Sequence, residues 1–232
     1  MKPILTICPS RERPKRLETM LDSFYATSLE STLVVVVDKD DPTIEEYRAI
    51  HKKCHLFDLC ETQLASNTER FNETVKSFGN FKYYHMTNDD VIYRTDQWDM
   101  HFMNILDSRP GIAFGNDLMM RNNQCTTPFI SGDIVRALGW IQMPRLTHLY
   151  ADNVWMILGK LMQSLFYMEG IVIEHMHPEV KKAEMDDVYR RDNSEDMYKH
   201  DSEAFFNWCS SQALKDVKRI SEYINRDMTA SP

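Results

Sequence analysis

The run Leu33, Val34, Val35, Val36, Val37 constrains this chain more than any other stretch. Four valines after a leucine leave no polar face, which excludes a half-exposed strand and fits a central parallel strand covered on both sides. Parallel neighbours need crossover segments, and the flanking sequence supplies them. Pro3-Ile4-Leu5-Thr6-Ile7-Cys8 is a first β-rich run closed by Pro9, and Arg13-Pro14 opens a helical pattern with Leu17, Met20, Leu21 and Phe24 on one face. After the valines, Lys39-Asp40-Asp41-Pro42 reads as a loop, and Thr43 with Glu46 has the spacing of a helix-capping box. Residues 55–60 read as a third strand, 66–75 as a capped helix start, and Phe81, Tyr83 and Tyr84 as the entry to a fourth strand. This alternation predicts an α/β fold, a mixed, mostly parallel sheet flanked by helices.

The regular alternation breaks after the fourth strand. Residues 96–106 carry an amphipathic helix pattern (Trp98, Phe102, Ile105, Leu106), 111–117 a short strand and turn, and Ile134, Leu138 and Trp140 an apolar helical segment. A helix over 148–162 and a long strand over 165–175 follow, ending in His175-Met176-His177-Pro178. Beyond it the chain turns strongly charged, then shows helical patterns at 195–209 and 211–226 that have no core of their own. The expected organisation is one body over 1–178 with a helical C-terminal extension, 179–232, packed on it.

Composition excludes several classes. With 232 residues, 43% hydrophobic and 27% charged, the chain can bury a full core without disulfides. A net charge of −8 argues against a protein that grips nucleic acid over its whole surface. Five cysteines, an odd number at scattered spacings with no secretory signal, imply reduced thiols and a cytoplasmic setting. The N-terminal apolar run is too short for a signal or a membrane span. His51, Cys54, His55 and Cys60 lack the paired knuckle of zinc sites and fit a helix end running into a strand.

Three stretches bear on chemistry. Asn88-Asp89-Asp90 sits where the fourth strand surfaces, and two carboxylates there suit a hard divalent cation that shares its shell with substrate phosphates, although the same residues also make an ordinary polar turn. The loop Pro9-Ser10-Arg11-Glu12-Arg13-Pro14 brings a hydroxyl and two guanidinium groups to a helix N-terminus, a place suited to phosphates. It has no glycine, so it is neither a Walker loop nor a dinucleotide fingerprint. Asp38, at the carboxyl end of the valine strand, is placed for a ribose hydroxyl or a base edge, and Arg70 and Asn72 follow on the next helix start.

The order of these features resembles the GT-A glycosyltransferases, closest in pattern to the family 2 type, over residues 3–178. The resemblance implies a nucleotide-sugar donor, a UDP-sugar foremost, bound through Pro9, Ser10, Arg11, Arg13, Asp38, Arg70, Asn88 and Asp89 in a half spanning 1–95. It implies Mn²⁺ or Mg²⁺ on Asp90, with His177 matching the late metal-ligating His and His175 as its fallback. Asp152, in the acceptor half over 96–178, matches the general base of inverting members, and Asp133 competes for that role. Asn88 stands where an aspartate is usual, which shifts metal binding to Asp90 and His177 and leaves a catalytically inactive binding module as an alternative, beside a nucleotidyltransferase. Tyr150, Trp140 and Trp155 are candidates for stacking on a ring or for the core. The acceptor is a hydroxyl compound: a glycan precursor, a protein, a small molecule or a hydroxylated nucleic-acid base; the charged segment 181–191 reads either as a mobile lid or acceptor-binding element that excludes water over a bound donor, or as a solvated helix.

Overall fold

The computed structural model describes residues 2–54, 57–64 and 66–230, with 227–230 as backbone alone. Its first half alternates strictly: β1 (Ile4–Pro9), α1 (Pro14–Thr27), β2 (Ser31–Asp38), α2 (Ile44–Cys54), β3 (Asp58–Thr62), α3 (Asn67–Phe78) and β4 (Tyr83–Met86). These strands pair in parallel in the order β3-β2-β1-β4. The second half contributes β5 (Val91–Tyr93), α4 (Trp98–Ser108), β6 (Ile112–Asn116), β7 (Phe129–Ser131), α5 (Gly132–Leu138), α6 (Ala151–Leu161) and β8 (Leu165–His175), followed by α7 (Asp187–Asp192), α8 (Glu195–Ser211) and α9 (Ala213–Ala230). The sheet order is β3-β2-β1-β4-β7-β6-β8-β5, with β7 antiparallel to both neighbours and β5 antiparallel to β8.

The valine strand behaves as its composition requires. Leu5, Ile7, Val34 and Val36 face one core cluster, while Ile4, Cys8, Leu33, Val35 and Val37 face the other, so both faces of β1 and β2 are dry. α1 covers one face with Leu17, Met20, Leu21 and Phe24, all buried, each worth about 1.5–3 kcal/mol of transfer free energy. Pro14 starts this helix, its missing N–H falling where a helix leaves donors free. Ser66 and Glu69 form the reciprocal capping box that opens α3.

Several expectations shift in detail. Thr43 does not cap α2 with its side chain; its hydroxyl and its N–H both donate to Asp41 Oδ1, at 2.7 Å each. Asp41 also receives the N–H of Glu12, which has φ 57°, so this glycine-free loop is held in a left-handed turn from outside. The third strand is described from Asp58; His55, in both the strand and zinc readings, lies outside the described residues. β7 was not separable by pattern from the helix after it. α6 starts at Ala151 rather than His148, because buried Asp201 of α8 accepts the N–H groups of Thr147, His148 and Leu149 and holds them as a turn.

The C-terminal helices complete the main core. Phe205, Trp208, Ala213 and Ile220 join the cluster that holds Trp155 and Leu158. Arg219 of α9 donates to the carbonyls of Ala137 and Leu138, satisfying acceptors that the end of α5 leaves open. All five cysteines are free thiols, and among the described residues no helix is long and apolar enough to cross a membrane.

Candidate active site

Because β1, β2 and β4 run in parallel, their carboxyl ends share one edge of the sheet, where open α/β sheets bind ligands. A cleft of about 1110 Å³ opens there. Its lining includes Pro9, Ser10, Arg11, Arg13, Asp38, Arg70, Asn88, Asp89, Asp90, Asp152, His175 and His177. Residues spread over most of the chain thus meet in one place.

The loop after β1 is fixed by a relay. The N–H of Arg13 donates to the Tyr47 hydroxyl (2.9 Å), which bonds Ser10 Oγ (2.8 Å), which donates to Asp89 Oδ2 (2.6 Å). Since the one Ser10 proton goes to Asp89, Tyr47 is the donor to Ser10. Arg13 Nη1 stands 3.5 Å from Asp89 and 3.9 Å from Asp90, while its Nε and Nη2 grip Asp186 at 2.8 and 2.6 Å. Arg13 therefore joins the acidic turn after β4 to the chain before α7.

Asp38 is not free for a base edge. Its carboxylate accepts from Arg70 Nε (2.9 Å) and Nη2 (2.7 Å), Arg11 Nη1 (2.7 Å) and Thr62 Oγ1 (3.4 Å), which fills its lone-pair directions. The two guanidinium groups line the cleft beside it. Asn72 is structural as well: its Oδ1 accepts the N–H groups of Ile141 and Gln142 and its Nδ2 donates to the Gln142 carbonyl.

Burial and the Asp90 charge push the Asp89 carboxyl up, against the pull of Arg13. Burial would raise Asp90 too, but His175, Arg13 and Arg16 hold it below the usual carboxylate range. The antiparallel register Val91↔His175 brings His175 Nε2 to 3.4 Å from Asp90 Oδ1, an ion-pair distance, and no hydrogen bond reaches that buried oxygen. His177 packs edge-on against His175 at 4.9 Å and against Tyr189 at 5.1 Å, and its Nδ1 accepts the Glu179 N–H. His175, the fallback, is thus the imidazole next to Asp90. Among the described residues no three His, Cys, Asp or Glu side chains converge as a ready metal cage. A hard cation that completes its shell with phosphate oxygens needs only one or two carboxylates, and a buried Asp90 oxygen that makes no hydrogen bond and has His175 Nε2 at 3.4 Å fits that use.

Asp152, also in the cleft lining, lies in the first turn of α6, with Oδ1 accepting the Asn153 N–H (2.8 Å) and Oδ2 accepting from the Gln124 amide. Burial raises its pKa, with Gln124 and Asn153 opposing, which moves a carboxylate toward the range of an effective base at neutral pH. Asp133 pairs with Arg136 on α5 and does not line the cleft. Trp155 is fully buried with Nε1 on Met86 sulfur, and Trp140 packs on it at 5.7 Å, so of the three aromatic candidates only Tyr150 lines the cleft.

The pattern gave no sign of Gln124, whereas the charged stretch 181–191 borders the cleft through Val188, Tyr189 and Arg191, beside Glu179, Asp192 and Asn193. This strap is tied down by Asp186 on Arg13 and Arg16 and by Arg191 on Glu12. Its charged composition was visible in the sequence, but not its partners.

No protein-family model and no curated protein sequence matches this chain. Solved structures share its fold. A mannosyltransferase from Pyrobaculum calidifontis, PcManGT, in complex with GDP-Man and Mn²⁺, aligns with a TM-score of 0.61 over 99% of this chain and 76% of its own, at 10% identity. S. aureus TarS 1–349 in complex with UDP-GlcNAc aligns with a TM-score of 0.61 over 100% and 74%, at 12% identity. Over its full length, then, the chain has the GT-A-type α/β fold of these proteins.

Proposed function

We propose that this protein is a cytoplasmic, metal-dependent glycosyltransferase that moves a sugar from a nucleoside diphosphate donor, a UDP-sugar, to an acceptor hydroxyl with inversion. The observation that carries this reading is a cleft lined together by a phosphate-type arginine loop, an acidic turn and the half-buried Asp152 carboxylate. In this reading residues 1–95 serve the donor, 96–178 the acceptor, and 179–232 close the cleft.

Arg11, Arg13 and Arg70 orient the donor by charge-assisted hydrogen bonds, with Asp38 holding two of them in place. Mn²⁺ or Mg²⁺, held by Asp90 with Asn88, Asp89 and His175 or His177, would neutralise charge on the diphosphate as it leaves. Asp152 takes the proton of the acceptor hydroxyl while the oxygen bonds the anomeric carbon and the bond from that carbon to the diphosphate oxygen breaks, its electron pair going to the diphosphate. The strap formed by Glu179 and α7 excludes water, which would otherwise compete as acceptor.

The test is calorimetry of nucleoside diphosphate binding with Mn²⁺ and with EDTA, on wild type and Asp90→Ala. Metal-dependent binding that Asp90→Ala abolishes is expected; equal affinity with and without metal would sink the proposal. A second reading, a catalytically inactive nucleotide-sugar module, is favoured by Asn88 and by Arg13 standing beside the acidic pair. It predicts donor binding with no hydrolysis of the donor in Mn²⁺.

A further inference from the structure

The cleft is lined by four arginines and seven carboxylates, with no lysine among the described residues. Every one of those arginines is engaged: Arg11 with Asp38 and Asp40, Arg70 with Asp38, Arg13 with Asp186, and Arg191 with Glu12 and Asp192. A donor diphosphate adds negative charge, and a divalent cation does no more than offset it. Among the described residues no further arginine or lysine lines the cleft for a second anion.

Gln124 bonds the Asp152 carboxylate, the imidazoles of His148 and His175 interact with it through space, and Met119, Met120, Thr126, Tyr150 and Tyr198 line the same cleft. Tyr150 lies two residues before Asp152 with φ 64°, a left-handed backbone that a bulky residue adopts only when its surroundings enforce it. Here its ring stacks on Phe205 of α8 at 5.1 Å and 23°, with Phe206 edge-on at 6.5 Å. A strained backbone and a dedicated packing partner hold one aromatic ring at the cleft beside the candidate base. Rigid aromatic surface with a few polar groups suits an uncharged ring bearing hydroxyls.

Resting on the glycosyltransferase reading, we infer that the acceptor is an uncharged sugar or glycoside whose ring seats against Tyr150 with one hydroxyl at Asp152. A phosphorylated sugar, a uronide or a nucleic-acid strand would bring its charge into a cleft with excess carboxylate. Tyr150 acts as a specificity-determining residue, not a catalytic one.

The experiment uses the full chain with Mn²⁺ and a donor that it binds. Acceptor probes are neutral methyl glycosides, their 6-phosphates and uronic acid counterparts, and an oligonucleotide carrying a hydroxymethylated pyrimidine. Transfer to at least one neutral glycoside is expected, with kcat/KM at least tenfold lower for its charged counterparts and an acceptor KM that does not move between about 50 and 300 mM salt. Tyr150→Ala should raise the acceptor KM tenfold or more, and Tyr150→Phe, which keeps the ring and its stacking partner, should restore it. Comparable or better transfer to a phosphate, uronide or oligonucleotide overturns the inference, as does donor hydrolysis without transfer to any neutral glycoside. Failure to bind any nucleotide sugar is a different result and overturns the glycosyltransferase reading along with it.

Discussion

Replacing Asp38 by Asn separates a residue that positions arginines from one that meets the ligand. The Asp38 carboxylate is 4% exposed and accepts three charge-assisted hydrogen bonds at 2.7–2.9 Å from Arg11 and Arg70. Removing one partner of a fully buried ion pair costs about 3–5 kcal/mol, mostly because the other charge is left uncompensated. Here the arginine side chains are 26% and 18% exposed, so water reaches them once released, and about 2–3 kcal/mol is the better figure. At about 2–4 °C per kcal/mol for a chain of this length, Asp38→Asn should lower the melting temperature by roughly 4–12 °C. Nucleotide affinity should fall as well, because both guanidinium groups lose their orientation. Asp40→Asn is the control: it removes only an exposed partner of Arg11 and should leave the melting temperature where it was. The assay pairs thermal unfolding with a nucleoside diphosphate titration on the same preparations. An unchanged melting temperature with lost affinity would refute the positioning argument and return Asp38 to direct contact with ribose or base.

Asp152→Asn should keep the fold and nucleoside diphosphate affinity while transfer falls by about 10²–10⁴, the usual contribution of a general base; near wild-type turnover would leave Asp152 as a first-turn residue of α6 and no more. Arg13→Ala removes both bonds to Asp186, so limited proteolysis within 178–193 should accelerate while diphosphate binding weakens by about 1.5–3 kcal/mol, and an unchanged cleavage rate would show that the strap does not depend on this latch. His85 is fully buried, bonded to the Pro128 carbonyl and the Tyr93 hydroxyl, and burial holds its pKa down to about 3 against the pull of that carbonyl. The unfolded chain takes up the proton first, near pH 6.5, so stability from neutral His85 is full above that pH and is lost as pH falls toward 3. Wild type should therefore lose about 2 kcal/mol relative to His85→Phe between pH 7 and pH 5; parallel stability curves for the two proteins would contradict a neutral buried His85.

The sequence by itself determined the elements that follow from short-range physics. An all-apolar valine run can only be a strand covered on both faces, Pro14 can only sit near a helix start, and the Ser66 to Glu69 spacing caps a helix wherever α3 packs. The parallel order of β1, β2 and β4 followed from alternation, and with it the sharing of one sheet edge by the loop after Pro9, Asp38 and Asp90. Which charges meet across that edge was decided by the tertiary structure alone. Asp38 reads as a ligand residue until Arg11 and Arg70 are seen to fill its oxygens, since an ion pair over 27 or 32 residues leaves no local pattern. His175 rather than His177 meets Asp90 because an antiparallel register of β5 with β8 sets it there, and neither strand carries a mark of its partner. Gln124 reaches Asp152 across 28 residues, and Asp186 reaches Arg13 across 173. Backbone preferences and hydrophobic periodicity act within a few residues and are written in order along the chain, whereas buried charges are satisfied by whatever the packed fold brings within about 3 Å.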